Sequence, residues 1–231
     1  MLEQVFNDMK DQAGSASAAV YDALRKKIVA LDYPPGTPLA RTALAQEFGV
    51  SLTPVREALQ RLEEDGLLRI VPQSGTVVKR IDVAQLHETQ FLRVATETEV
   101  VRRLALNPDP EVMARARAIV AMQEALQGNT EQMAMFNELD RAFHRTLFDG
   151  VGMASLQTIL QRRLGHLLRC QRLDLPSEGK MADILDHHHR ILDAIGAGDA
   201  EGAAAVMRSH LSGTISRLDL LRARYPEYFT D

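Results

Sequence analysis

Apolar residues recur every three to four positions through most of this chain, and the places where that rhythm stops divide it into elements. Val20, Leu24, Ile28 and Leu31 share one helical face, predicting a helix that Ser15 or Ser17 caps and that runs to about Ala30. The run Tyr33-Pro34-Pro35-Gly36-Thr37-Pro38 ends it, because proline lacks an amide donor and restricts the residue before it. A short helix follows over Arg41 to Phe48, with Leu44 and Phe48 facing inward and Gly49 as its stop. After a tight turn at Gly49-Val50-Ser51, a second helix runs from about Leu52 to Asp65. Ser51 or Thr53 is expected to cap it, Pro54 lies in its first turn and Gly66 ends it. Leu68 to Val71 and Thr76 to Lys79 alternate as strands of a hairpin joined by Pro72-Gln73-Ser74-Gly75. Helix, helix, turn, helix, hairpin is the order of a winged helix-turn-helix.

Beyond Arg80 no strand is predicted. Six helices are expected, over about Asp82–Leu106, Pro110–Gln127, Thr130–Asp149, Met153–Leu173, Ser177–Ile195 and Asp199–Arg224. Short breaks between amphipathic helices predict an antiparallel bundle. The expected fold is therefore mainly α: a flexible N-terminal arm over 1–14, where no period is visible, a winged helix-turn-helix over 15–80, and an all-helical domain over 81–231.

Composition changes this picture little. The net charge of −4 excludes a polycation that coats nucleic acid indiscriminately, but a local basic cluster is enough for DNA binding. No run approaches the roughly 20 apolar residues that span a bilayer, and Met1 to Lys10 has no signal-peptide core, so no membrane partner is expected. The one cysteine, Cys170, cannot form an internal disulfide; it reads as a small packed thiol in a cytoplasmic protein.

In a helix-turn-helix the first residues of the second helix meet base edges and phosphates. Here these are Ser51, Leu52, Thr53 and Arg56, followed by Gln60. Hydroxyls can bond phosphate oxygens, and an Arg can pair with guanine through two parallel hydrogen bonds. Gly75, beside Gln73 and Ser74 at the wing tip, lets backbone approach a groove without a side-chain clash. A winged helix used only for protein contacts has the same outline. The string Gly49-Val50-Ser51-Leu52-Thr53-Pro54-Val55-Arg56-Glu57-Ala58-Leu59, with Leu62 and Asp65-Gly66-Leu67, resembles the recognition-helix signature of the GntR family; so do Pro35-Gly36-Thr37-Pro38-Leu39 and Gly75-Thr76-Val77-Val78. The resemblance covers about Ala18 to Arg80 and implies a transcriptional regulator, usually a repressor, binding a short palindromic operator as a homodimer. One departure stands out: Leu52 occupies a position where that family usually has an Arg. Leu52 can touch a thymine methyl but no phosphate, and Arg41 in the preceding helix is a candidate source of the missing charge.

In the helical part, Asp140 and His144 are four apart and project from one face. His188 is central to a stripe of Met181, Ile184, Leu185, Ile191, Leu192 and Ile195, and His210 lies on the side of Ala203, Val206 and Met207. Three imidazoles and a carboxylate from three helices could hold a divalent metal. An ordinary Asp–His pair and locally satisfied histidines fit the same spacing. Residues Asp82 to about Leu211 resemble the FCD ligand-binding domain of the FadR subfamily, in a short form near its VanR-like branch. That resemblance implies a metal at Asp140, His144, His188 and His210, with zinc the first expectation and nickel or manganese the alternatives. Arg93 resembles the first-helix Arg that faces the effector pocket in that group. A guanidinium fork suits a carboxylate, although Arg93 and Glu97 could equally pair on an exposed face. Arg163 and His166 are further candidates for effector contact.

The expected function is DNA-binding regulation by a non-enzyme, most simply a repressor released from its operator when a small carboxylate binds the metal-containing pocket. Two alternatives remain: a regulator for which the metal is itself the signal, and a metal-dependent hydrolase, for which no general base is found at a convincing spacing.

Overall fold

The computed structural model describes residues 2–71 and 75–230, apart from the side chains of residues 2–15 and 130. Its contacts divide the chain into two compact units, residues 1–83 with 225–231, and residues 84–224.

The first unit opens with α1, Leu2–Val29. The expected arm is instead the first part of this helix, and Ser15 and Ser17 are interior positions rather than caps. Leu2, Val5, Phe6 and Met9 recur at i, i+3, i+4 and i+7, a helical period that the sequence reading passed over, and the segment is rich in strong helix formers and free of proline. Then come α2, Arg41–Phe48, and α3, Leu52–Glu64. Gly49, at φ 63°, makes the tight turn between them and caps α2. Ser51 stands at the N-cap of α3 with extended backbone but without the expected side-chain cap bond. The hairpin is β2, Leu68–Val71, and β3, Gly75–Val78; Gln73 and Ser74 of its tip lie outside the described residues. A strand the sequence reading missed, β1, Pro38–Leu39, pairs antiparallel with β3, giving the order β1-β3-β2. It is two residues long and begins with a proline, which an edge strand tolerates. Val20, Leu24, Ile28, Val55, Leu59 and Leu62 from α1 and α3 form the centre of an apolar core closed by the sheet. Ile81 is completely buried and bridges in parallel to Phe229; its N–H donates to the Tyr228 carbonyl at 2.7 Å and its carbonyl accepts from the Thr230 N–H at 3.0 Å. The C-terminal residues, expected with the helical domain, thus complete the first unit.

Only helices and short 3-10 turns are found among the described residues of the second unit. The principal helices are α4, Val83–Leu106; α5, Pro110–Glu124; and α6, Met133–Gly150, preceded by a 3-10 turn at Thr130–Gln132. Asp109 caps α5 through the Glu111 and Val112 amides, with Pro110 in its first turn. The helix expected over Met153–Leu173 is two, α7, Ala154–Arg163, and α8, Gly165–Asp174, parted just before Gly165. After α9, Lys180–Gly196, the last expected helix divides near Gly213 into α10, Ala200–Ser212, and α11, Leu218–Arg224. Helices α5, α6, α9 and α10 are packed neighbours in sequence α6–α5–α9–α10. At Gly150 an added Cβ would come within 2.7 Å of Val112 Cγ1, so α6 ends where only glycine lets it approach α5.

Candidate functional site

Amphipathic α3 buries Val55, Ala58, Leu59 and Leu62 and turns its other face outward. All seven candidates for DNA contact, Arg41, Ser51, Leu52, Thr53, Arg56, Gln60 and Gly75, are exposed. Arg41, Thr53, Arg56 and Gln60 border one surface depression with Glu57 and Glu63, so the cation that opens α2 shares a surface with those of the recognition helix. Leu52 is 47% exposed, large for an apolar side chain with no packing role. Gly75 has φ 104°, a backbone that other residues rarely adopt.

The second unit gathers Asp140, His144, His188 and His210, whose possible ligand atoms all lie within 4.8 Å of one another. Asp140 and His144 come from α6, His188 from α9 and His210 from α10. His144 Nε2 lies 3.2 Å from His210 Nε2, and Asp140 Oδ1 is 3.4 Å from His188 Nε2. Metal bonds of about 2.0–2.1 Å separate neighbouring ligand atoms by roughly 3–3.5 Å, so this spacing fits a cation held between them. His188 is fully buried and stacked on Phe143, its centroid 3.9 Å away, and its Nε2 has no hydrogen-bond partner. A lone pair buried in this way, facing a carboxylate and two further imidazoles, is satisfied by a metal. The residues therefore fit one.

Behind the cluster, each central ring is held from its other nitrogen. His188 Nδ1 donates to Gln123 Oε1 at 2.9 Å, and the amide orientation follows from Gln123 Nε2 donating to the Phe136 carbonyl at 3.4 Å. That leaves His188 Nε2 as the acceptor directed at the cluster. His144 Nδ1 lies 2.6 Å from Glu97 Oε2, and the other oxygen of Glu97 accepts from Arg93 Nε at 2.7 Å. Arg93 and Glu97 are both buried, which removes the exposed-pair reading of their i, i+4 spacing.

Burial pushes the Glu97 carboxyl up, but Arg93 and His144 outweigh it and hold it down at about 2. Asp140 is likewise raised by burial, yet the nearby His188 and the other two imidazoles bring it well below the usual carboxylate range. Burial lowers His188 and lowers His210 further, so both rings are kept neutral, the state a metal ligand needs.

Two small cavities adjoin this cluster. One, of about 30 Å³, is lined among others by Arg93, Asn137, Asp140, Lys180, His210 and Thr214; the other, of about 10 Å³, is lined in part by Arg93, Glu97, Asp140, His144 and Gln171. Arg163 is exposed and lines neither, its carbonyl accepting from Thr89 Oγ1. His166 is buried but turned to Arg169, with its Nδ1 2.8 Å from the Arg169 guanidinium, and it lines neither cavity. The break before Gly165 separates these two residues onto different helices, which a continuous helix over Met153–Leu173 could not reveal. Gln123 and Lys180 were not singled out in the sequence, and Glu97 entered only as a pairing partner of Arg93. Helical phase could have found Gln123, through its place on the buried side of α5 with Val112, Met113, Ala116 and Val120.

Residues 16–78 match the family model described as "Bacterial regulatory proteins, gntR family", and residues 88–213 match the FCD domain. The chain belongs to the GntR family. A regulator from Streptomyces ambofaciens, named for an unstable DNA locus, is 35% identical over 91% of this chain and 88% of its own. The HTH-type transcriptional repressor RspR of Escherichia coli K12 is 28% identical over 92% of each chain. The solved structure of E. coli McbR/YncC shares the fold, with a TM-score of 0.73 over 91% of this chain and 98% of that one, at 23% identity. As a GntR-family protein the chain is a transcriptional regulator whose winged helix binds DNA, with a helical FCD domain of a kind that typically binds ligands. Its relatives are regulators rather than enzymes, and the metal-as-signal alternative gains no support from them. No helix among the described residues is long and apolar enough to cross a membrane.

Proposed function

We propose that this GntR regulator is a homodimeric repressor of a palindromic operator, released when a small carboxylate enters the FCD cavity. The effector is held by the Arg93 guanidinium beside a divalent metal on Asp140, His144, His188 and His210. The observation that carries this reading is the position of Arg93, buried at the cavity wall shared with Asp140 and His210. Three nitrogens and one oxygen suit zinc first, then nickel or manganese, and such an ion would supply Lewis-acid affinity for an anion's oxygens. A cavity of about 30 Å³ holds little more than a water or two, which favours a small acid and requires side chains to give way as it enters.

A thermal-shift panel of organic acids, run before and after chelation, tests this. A ligand that binds only the native state raises the melting temperature by mass action. The expected result is a shift with one acid that disappears on chelation and in His188→Ala. If every acid is silent at millimolar concentration in zinc-loaded protein, the effector reading fails. At the DNA face, we infer that Leu52 reads a thymine methyl while Arg41 supplies charge. Leu52→Arg should then alter operator preference, and an unchanged binding profile would sink that idea.

A further inference from the structure

The two oxygens of one buried carboxylate serve two different sites. Glu97 Oε1 accepts from Arg93, which lines the cavity, and Glu97 Oε2 approaches His144 Nδ1 at 2.6 Å. The second contact is close but off axis: neither Oε2 nor His144 Nδ1 has an aligned hydrogen-bond partner. A modest turn of the carboxylate or ring would complete it. Gln123 does the corresponding work for His188 but does not serve Arg93, since its amide is engaged by His188 and the Phe136 carbonyl. One imidazole is thus supported by a group committed to it, the other by a group that is shared.

We propose that Glu97 is a positioning residue shared between the metal site and the anion-binding guanidinium, so that whatever occupies Arg93 is felt at His144. This rests on reading the four residues as a metal site. While Arg93 holds Glu97, the carboxylate is divided and His144 is imperfectly aligned. An anion pairing with Arg93 draws the guanidinium away and frees Glu97 to take the His144 Nδ1–H. That fixes Nε2 toward the metal and increases the ring's basicity. Acid binding therefore tightens metal binding, and by linkage the metal tightens acid binding by the same factor. No backbone movement is needed, only a change of partner at a buried carboxylate.

The experiment uses the full-length protein with zinc alone as the probe. Affinity is read by competition with a chromophoric chelator, and the ring N–H resonances of His144 and His188 are read by NMR in the zinc-loaded protein. Outer-shell substitutions typically change metal affinity by 10–100-fold. Glu97→Gln should weaken zinc by about that factor. Arg93→Met, which frees Glu97 without touching a ligand, should strengthen zinc several-fold and move the His144 N–H downfield while leaving that of His188 in place. Gln123→Met should weaken zinc but preserve the gain from Arg93→Met. If Arg93→Met strengthens zinc with the His144 resonance unmoved, simple loss of a nearby positive charge explains the gain and the relay is overturned. An Arg93→Met protein with wild-type zinc affinity overturns it also, and this arm stands even if Glu97→Gln fails to fold. Failure of the wild-type protein to bind zinc, nickel or manganese overturns the underlying metal reading and the relay with it; zinc binding without the predicted Arg93 effect overturns the relay alone.

Discussion

The two units of this GntR-family protein place their polar chemistry in opposite positions. In the first, the core is apolar, and the residues expected to meet DNA stand outside it on exposed turns of α2 and α3. In the second, the chemistry occupies the core itself: Arg93, Glu97, His144, Asp174, Lys180 and His188 are all buried. Exposed polar groups are satisfied by water within the fold and need no answering side chain there. Buried ones must answer one another, so they form chains of contact in which a change at one end is felt at the other. The reading unit can therefore vary its recognition residues at small cost to stability, while the sensing unit cannot alter one charge without disturbing the next.

The sharpest way to break this contrast is at Asp174. It is fully buried and bracketed by Lys180 Nζ at 3.0 Å and Arg217 Nε at 2.9 Å, joining α8 and α9 to the turn before α11. Removing one partner from a buried pair costs about 3–5 kcal/mol, because the other charge is left unanswered. Asp174→Ala should lose stability on that scale in urea unfolding followed by circular dichroism. A loss under about 1 kcal/mol would show that these charges are not energetically buried.

The units should also fail at opposite ends of the pH scale. His188 and His210 are held neutral by burial, so unfolded chains take up more protons as pH falls below the ordinary 6.5, and the helical unit loses stability there. Glu97, held at about 2 when folded against 4.5 otherwise, adds a further loss between those values. In the first unit, burial and a hydrogen bond to Asp65 raise the Tyr21 hydroxyl to about 12 from 10, so its contribution persists below pH 10 and is lost as pH rises through 12. Hydrogen exchange of metal-free protein, followed unit by unit, should show the helical unit opening first at pH 5 and the winged unit first above pH 10. The reverse order would contradict the assignment.

Smaller effects sharpen the comparison within each unit. Gly150→Ala forces a Cβ against Val112 and should cost about 1–3 kcal/mol by overpacking. Glu47→Ala removes the exposed partner of Lys27 and should cost no more than about 1 kcal/mol, measured by the same unfolding curves.

The same difference governs what could be read from the chain. A recognition helix on the surface is set by local signals, and Gly49, Pro54 and Gly66 placed its bounds within a residue or so. His188 was legible because it interrupts an apolar stripe at helical phase, and Asp140 because it precedes His144 by one turn. Glu97 was visible only as half of an i, i+4 pair, since nothing local tells that α4 is buried at that point or that α6 delivers His144 to it. The break at Leu164 was hidden because its residues keep helical composition on both sides, and so Arg163 and His166, expected on one helix, fall on two. Long-range pairing was hidden throughout: β1, the Gln123–His188 bond and the return of Phe229 to Ile81 all depend on residues remote in sequence.

That last return bears on the order in which the molecule can be made. The Thr230 hydroxyl and the Ile81 carbonyl it approaches are 149 residues apart, yet they belong to the same unit. During synthesis residues 16–78 precede the helical unit and can pack their apolar core, but Ile81 lacks its partners until residues 228–230 have been made. In between, the entire helical unit is synthesised. The winged unit of this regulator thus takes its final backbone pairing from a segment synthesised after the whole helical unit.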